Sequence, residues 1–165
     1  MSVRQNMFNR ITQDLAPGKL EWIGLRRERR GQVDVVSQVC AIESLGLEGD
    51  RRCHGTPGSA RQVTLISLEH IEVVAKLLGK DIIEPATLRR NLVVSGININ
   101  ALRHQRFTIG EALFEATAYC HPCSRMEEAL GKGGHAAMLW HGGMCAKIMK
   151  SGQITIGDTV QKVDL

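Results

Sequence analysis

The 165 residues include 43% hydrophobic and 23% charged side chains and carry a formal charge of +4. This is the composition of one ordinary globular domain, able to bury about 70% of its unfolded surface without a metal or disulfide to hold it. Three Phe, two Trp and one Tyr are too few for a surface of stacked bases, and no run approaches the length of a membrane span. The five cysteines are an odd number, and no apolar export signal opens the chain, so an exported disulfide framework is not expected and a reducing, cytoplasmic setting is.

Residues 1–19 read as an N-terminal arm in which Met1 to Leu15 stops at the turn signal Ala16-Pro17-Gly18. Leu20–Leu25 and Val33–Val39 are predicted strands. Between them Arg26-Arg27-Glu28-Arg29-Arg30-Gly31 is a solvated hairpin tip, or a surface for phosphates. Gly46 to Gly58 holds four glycines and a proline, too many for a regular element, and is predicted to be a long loop of the kind that carries function. Asp50, Cys53 and His54 are metal-ligand types within it, but adjacent Cys and His are poorly spaced for one ion, and Asp50 taken alone reads as a surface Asx turn.

Arg61–Ile66 is the next strand, after which Ser67 caps a helix with Leu68, Ile71, Val74, Ala75 and Leu78 on one face and Gly79 as its stop. Arg89, Arg90 and Asn91 stand at the mouth of an apolar strand that runs to Gly96. They match the bidentate geometry of a phosphate or carboxylate, and serve equally well to pair with a loop carboxylate such as Asp50.

Phe107–Gly110 and Ala112–Tyr119 are strands, the second dividing Ala112, Phe114, Ala116 and Ala118 from Leu113, Glu115, Thr117 and Tyr119. It leads into Cys120-His121-Pro122-Cys123-Ser124-Arg125. Ser124 and Glu127 have the spacing of a capping box, which would put Cys123 just outside a helix N-terminus. There the dipole and Arg125 would draw its thiol below the free value of about 8.5. From the residues alone Cys123 is either this reactive thiol or a small inert one.

Gly131 to His135 reads as a flexible connection, and Gly142-Gly143 lets the backbone approach another segment or a ligand. Ala146–Met149, Gln153–Ile156 and Thr159–Val163 are closely spaced β elements. The predicted fold class is mainly β, a barrel carrying a few short helices.

Several stretches follow one another as in a known module: Gly46-x-x-Gly49-Asp50, Arg61 to Ile66, Arg89-Arg90-Asn91-Leu92-Val93-Val94-x-Gly96, Phe107-x-Ile109-Gly110, Cys120-x-Pro122-Cys123, Gly142-Gly143-x-Cys145-Ala146 and Gly152-x-Ile154-x-Ile156-Gly157-Asp158. In this order they resemble the MOSC domain, named from the C-terminus of molybdenum cofactor sulfurase, over about Leu20 to Val163, so residues 20–165 are assigned to that domain.

The resemblance implies a barrel-like MOSC fold and a site for the molybdenum cofactor (molybdopterin), with Cys123 as persulfide carrier or metal ligand. Arg89, Arg90 and Asn91 would hold the pterin or its phosphate, the Gly49-Asp50 loop would line the same pocket, and Arg61, Gly142 and Gly143 fall in the matching motifs and count as cofactor-binding. Many relatives place a histidine two residues after the Asp, where this chain has Arg52, with His54 further on.

The implied activity is sulfur carriage or reduction of N-hydroxylated small molecules, with a separate protein donating sulfur or electrons. Pyridoxal phosphate belongs to another domain of the parent sulfurase and is not expected in so short a chain. Two alternatives rest on Cys120 and Cys123: a structural zinc site completed by two of His121, His141 and Cys145, and thiol–disulfide exchange. A nucleic-acid binder built on Arg26 to Arg30 is a weaker reading.

Overall fold

The structure is a computed structural model and describes residues 2–164. Seven strands close a barrel: β1 (Gly18–Arg26), β11 (Thr159–Val163), β7 (Arg106–Ile109), β8 (Ala112–Tyr119), β9 (Met144–Lys150), β5 (Val63–Ser67) and β6 (Leu92–Ser95), with β6 returning to β1. β2 (Val33–Val36) extends the far end of β1 as a hairpin, and β3 (Gln38–Ile42), β4 (Gly46–Leu47) and β10 (Gly152–Thr155) form a small second sheet.

Closure depends on β1 having different neighbours at its two ends. Gly18 and Lys19 pair with Val160 and Thr159 of β11, whereas Ile23 to Arg26 pair with β2. A register shift between Leu20 and Trp22 against β6 lets the strand bend from one to the other.

The barrel interior follows the period of two expected of half-buried strands. Ala112, Phe114 and Ala116 point inward from β8, as their alternation predicts, and Phe114 stacks on Phe107 with ring centroids 5.4 Å apart. β5 and β6, the parallel pair, are buried on both faces. Val63, Leu65, Leu92 and Val94 enter the barrel, while Ile66 and Val93 face outward into a second core. That core is covered by α2 (Leu68–Leu77), which links β5 to β6, and by α4 (Ser124–Leu130) and α5 (Gly134–Met138), through Ile71, Val74, Met126, Leu130 and Met138. Ser67 caps α2 as predicted, its Oγ accepting the His70 N–H.

Several local expectations change. Val33–Val39 is not one strand but β2 and β3 in separate sheets, divided at Ser37. The glycine-rich loop contributes β4 and a 3₁₀ turn over Arg51–His54. The predicted flexible connection at Gly131 to His135 includes the start of α5. The N-terminal arm holds α1 (Val3–Ile11), which buries none of its side chains, and a short α3 (Pro85–Leu88) precedes β6. Among the described residues no helix is long and apolar enough to cross a membrane.

Candidate functional site

The residues singled out from the sequence gather at one end of the barrel, where β1, β5, β6 and β8 meet the loops around Asp50, Cys120 and Gly142. At its centre is a buried polar network. Asp50 is fully buried and accepts the Arg26 backbone N–H at 2.7 Å, the Arg26 Nε–H at 3.4 Å and an N–H of the Asn91 side-chain amide at 3.0 Å through Oδ1, and the Arg52 N–H at 3.0 Å through Oδ2. The Asx turn is therefore present, but inside the protein rather than on its surface. Burial of the carboxylate is supported because its oxygens meet a guanidinium and three further N–H groups.

The carboxylate's cationic partner is Arg26, not Arg89 or Arg90. Arg26 is 8% exposed at the end of β1, and its guanidinium also donates to Asn91 Oδ1 and to the Arg89 carbonyl. Asn91 is the hub. Its Oδ1 accepts from Arg26 and from the N–H and hydroxyl of Thr64, its amide donates to Asp50 and the Gly24 carbonyl, and its backbone pairs with Thr64 and Gly24. Every polar atom of the Asn91 side chain is engaged within the protein, joining β1, β5 and β6.

The two arginines before Asn91 point to different places. Arg89 adopts a left-handed conformation, φ +56°, as the C-cap of α3. Together with Arg30 and Arg125 it lines an open cavity of about 360 Å³ that also includes Glu128. Among the described residues none of Arg30, Arg51, Arg52, Arg89 and Arg125 forms an ion pair with a carboxylate. Burial, then Arg52, Arg26 and Arg125 in part offset by Asp50, draws the Arg51 guanidinium below its usual value; burial, Arg26 and Arg125 do the same to Arg89. This end of the barrel is a cationic basin in which arginines outnumber the one lining carboxylate, Glu128, and the buried carboxylate, Asp50, is already engaged.

Arg90 points inward and is 7% exposed, its Nε donating to the Gly142 carbonyl and Nη1 to the Leu88 carbonyl, both at 2.8 Å, while Nη2 is buried without a partner. Gly142 and Gly143 are needed where they are. A Cβ on Gly142 would run into the Cys120 carbonyl, and Gly143, at φ +98°, has no room beside the Leu65 carbonyl. The close backbone approach expected of these glycines is made to neighbouring strands.

Cys123 is the exposed N-cap residue of α4. The capping box is not formed: Ser124 is the first helical residue, and Glu127 instead accepts the N–H groups of Gly133 and His135, both at 3.2 Å, tying α4 to α5. Cys120 behaves differently. Its sulfur takes the thiol hydrogen of Cys145, and Arg90, Arg61 and Arg26 add positive charge, which against the opposing effect of burial brings its pKa down to about 6. Cys145 is pushed up by giving that hydrogen bond, by burial and by the charge on Cys120.

Arg61 is exposed just ahead of β5 and acts on this thiol pair through its charge. His54 is exposed at the end of the 3₁₀ turn. Among the described residues no group of three or more His, Cys, Asp and Glu side chains converges to hold a metal ion, so the zinc arrangement on Cys120 and Cys123 is not assembled.

Arg26 and Thr64 were not singled out from the sequence, and Cys120 and Cys145 were grouped only as candidates for the zinc site. Arg26 ends an alternating strand yet looked like part of a solvated tip, and the two cysteines come from just past β8 and from β9, whose pairing local sequence does not reveal.

The chain matches the sequence model of the MOSC domain over residues 50–161. No curated protein matches it by sequence. Among solved structures it is similar to the YUAD protein of Bacillus subtilis, at 18% identity and a TM-score of 0.75 over 89% of this chain and 96% of that one. It is also similar to YiiM of Escherichia coli (19% identity, TM-score 0.68, 89% of this chain and 70% of that one) and to YiiM of Geobacillus stearothermophilus (14%, 0.70, 89% and 75%). At these identities the likeness establishes the fold.

Proposed function

The chain belongs to the MOSC domain family, and from that premise we propose that it binds the molybdenum cofactor and acts as a sulfur carrier or as a reductase of N-hydroxylated small molecules, with Cys123 as its working thiol. The observation that carries this reading is that Cys123 is exposed at the N-cap of α4, the helix whose Arg125 lines a cavity together with Arg30 and Arg89.

These residues fit the group. A thiolate is a soft ligand suited to molybdenum or to a persulfide, and a basin in which three arginines face the single carboxylate of Glu128 suits the phosphate of a pterin. When bound, the cofactor would supply a metal centre able to exchange oxygen or sulfur in two-electron steps.

The protein's own residues then have separate tasks. Arg89 and Arg125, with Arg30, would hold the anionic end. Arg90 has its Nη2 amino group unpaired and able to donate to an acceptor on the ligand, and Arg61 adds charge from just ahead of β5. Asp50 and Asn91 would act indirectly, by fixing Arg26 and the end of β1 so that the basin keeps its shape. Gly142 and Gly143 would keep the floor thin and hold Arg90 through the Gly142 carbonyl. A separate protein would donate sulfur or electrons, and five free cysteines suit a reducing cytoplasm.

Purification without added metal, from a host that makes the cofactor, tests the reading. Molybdenum and pterin at near-equimolar amounts, both lost in Cys123→Ala, are the expected result. Zinc without pterin, or a Cys123→Ser protein that keeps both metal and activity, overturns it.

A further inference from the structure

Cys120 lies just past the end of β8, where its N–H donates to the Gly143 carbonyl at 2.9 Å and Tyr119 stands opposite Met144. Met144, Ala146 and Ile148 of β9 face the barrel core and Tyr119 packs against it, so Cys145 and Cys120 both lie on the outer side, diagonally across the ladder. Hydrogen bonding from the Cys145 thiol is the largest influence drawing the Cys120 thiol below its ordinary value. Cys145 is 1% exposed and Cys120 partly buried.

An independent feature marks the same spot. Arg90 is buried with Nη2 unpaired, and that nitrogen and the Cys120 carbonyl both border the space a Cβ on Gly142 would occupy. An unpaired guanidinium N–H in the interior is costly, and Arg90 is the foremost of the cations acting on the Cys120 sulfur. A cavity of about 10 Å³ opens beside Cys120 between Tyr119, Trp140, Gly142 and Gly143. It has room for one molecule the size of water, and so for a small peroxide with slight adjustment, but not for a protein thiol.

We infer that Cys120 and Cys145 form a peroxide-reactive site that closes reversibly into a disulfide, distinct from the exposed thiol of Cys123. The Cys120 thiolate attacks one peroxide oxygen; an S–O bond forms, the O–O bond breaks, and the departing hydroxide leaves as water after taking up a proton, so that Cys120 becomes a sulfenic acid. The Cys145 sulfur then attacks the Cys120 sulfur; the S–S bond forms, the S–O bond breaks, and a second water leaves carrying the Cys145 proton. Two thiols lose two electrons and the peroxide gains them, and a dithiol reductant reverses the change.

Cys120 is primed for the first step by ionisation near neutrality, while Cys145 stays protonated until the sulfenic acid appears. Oxidation also removes the negative charge beside Arg90. The inference does not depend on cofactor binding and is tested on protein free of it.

The intact protein is treated with equimolar hydrogen peroxide, digested without reduction and mapped by mass spectrometry. A linked Cys120–Cys145 peptide, lighter by two hydrogens and separated again by dithiothreitol, is expected, and it should persist in Cys53→Ser. In Cys145→Ser, or in Cys145→Ala if the serine variant does not fold, Cys120 is expected to remain as a sulfenic acid captured by dimedone. A Cys120–Cys123 link in place of Cys120–Cys145, oxidation confined to Cys40, Cys53 or Cys123, or a Cys120 that dimedone leaves unlabelled in both Cys145 variants would overturn the inference.

Discussion

Asp50 holds Arg26 by its backbone and its side chain at once, the Oδ1 atom accepting both the amide N–H at 2.7 Å and the Nε–H at 3.4 Å. The 3₁₀ loop is thereby joined to the last residue of β1, at the point where that strand leaves the barrel for its hairpin with β2.

Removing the carboxylate leaves a buried guanidinium without its counter-charge. Asp50→Ala is expected to lower unfolding free energy by about 3–5 kcal/mol. Asp50→Asn should cost nearly as much, because an amide keeps the shape but not the charge. Urea denaturation of the two variants checks both values, and an unchanged midpoint would refute the role assigned to the pair.

Asn91 is expected to act on stability before it acts on ligand. With its side chain spent on Arg26, Thr64, Asp50 and Gly24, Asn91→Ala strands several buried groups and should cost at least about 3 kcal/mol. Asn91→Asp should do no better, since it replaces two donated hydrogen bonds with charge facing Asp50. Thermal unfolding measured beside pterin content separates loss of fold from loss of binding.

Most of the β framework was legible in the sequence because β7 and β8 alternate cleanly and the other strands are short apolar runs bounded by turn residues. Leu20–Leu25 lies within β1, Ala112–Tyr119 coincides with β8, and Thr159–Val163 coincides with β11. What was not legible depends on partners distant in the chain. Ser37 divides one apolar run because its two halves pair with β1 and β10, in different sheets. Glu127 has the right spacing for a capping box, yet the N–H groups of Gly133 and His135 compete for its carboxylate. Within the site, residue types were readable and pairings were not. Asp50 was matched in sequence to Arg89 or Arg90, whereas β1 delivers Arg26, from the stretch read as a solvated tip.

Gly143→Ala should disrupt the fold. The position combines φ +98° with a Cβ directed into the Leu65 carbonyl, so both backbone strain and overlap oppose it, at a cost of about 3 kcal/mol or more. Gly58→Ala serves as a control, since nothing lies within 4 Å of the Cβ it would add, leaving only its backbone conformation to resist. Soluble yield and melting temperature of the two variants should diverge accordingly.

Stability should rise with pH between about 6 and 9. Cys120 titrates near 6 when folded, against an ordinary value of 9.0, so across this interval the unfolded chain binds the extra proton and folding gains as pH increases. The contribution is lost as pH falls through 6. Above 9 the sign reverses, because Cys145 is held protonated in the fold while the unfolded thiol ionises. Cys120→Ala should flatten the rise between 6 and 9 in a series of urea midpoints.

Arg125→Gln is expected to leave stability in phosphate-free buffer unchanged or raise it by up to about 0.5 kcal/mol, because it relieves repulsion with Arg51 and Arg89. The same substitution should reduce the rise in melting temperature that added inorganic phosphate gives the unaltered protein. A variant that is less stable without phosphate and equally responsive to it would argue against a cationic basin.

The pairing of Gly18 with Val160 has a consequence for connectivity. The barrel's first and last strands are neighbours, so a short peptide could bridge them, and new termini could be opened in an exposed turn such as the one between β1 and β2. Such a circular permutant should keep the barrel, while deletion of β11 would leave β1 and β7 as open edges able to recruit a second chain.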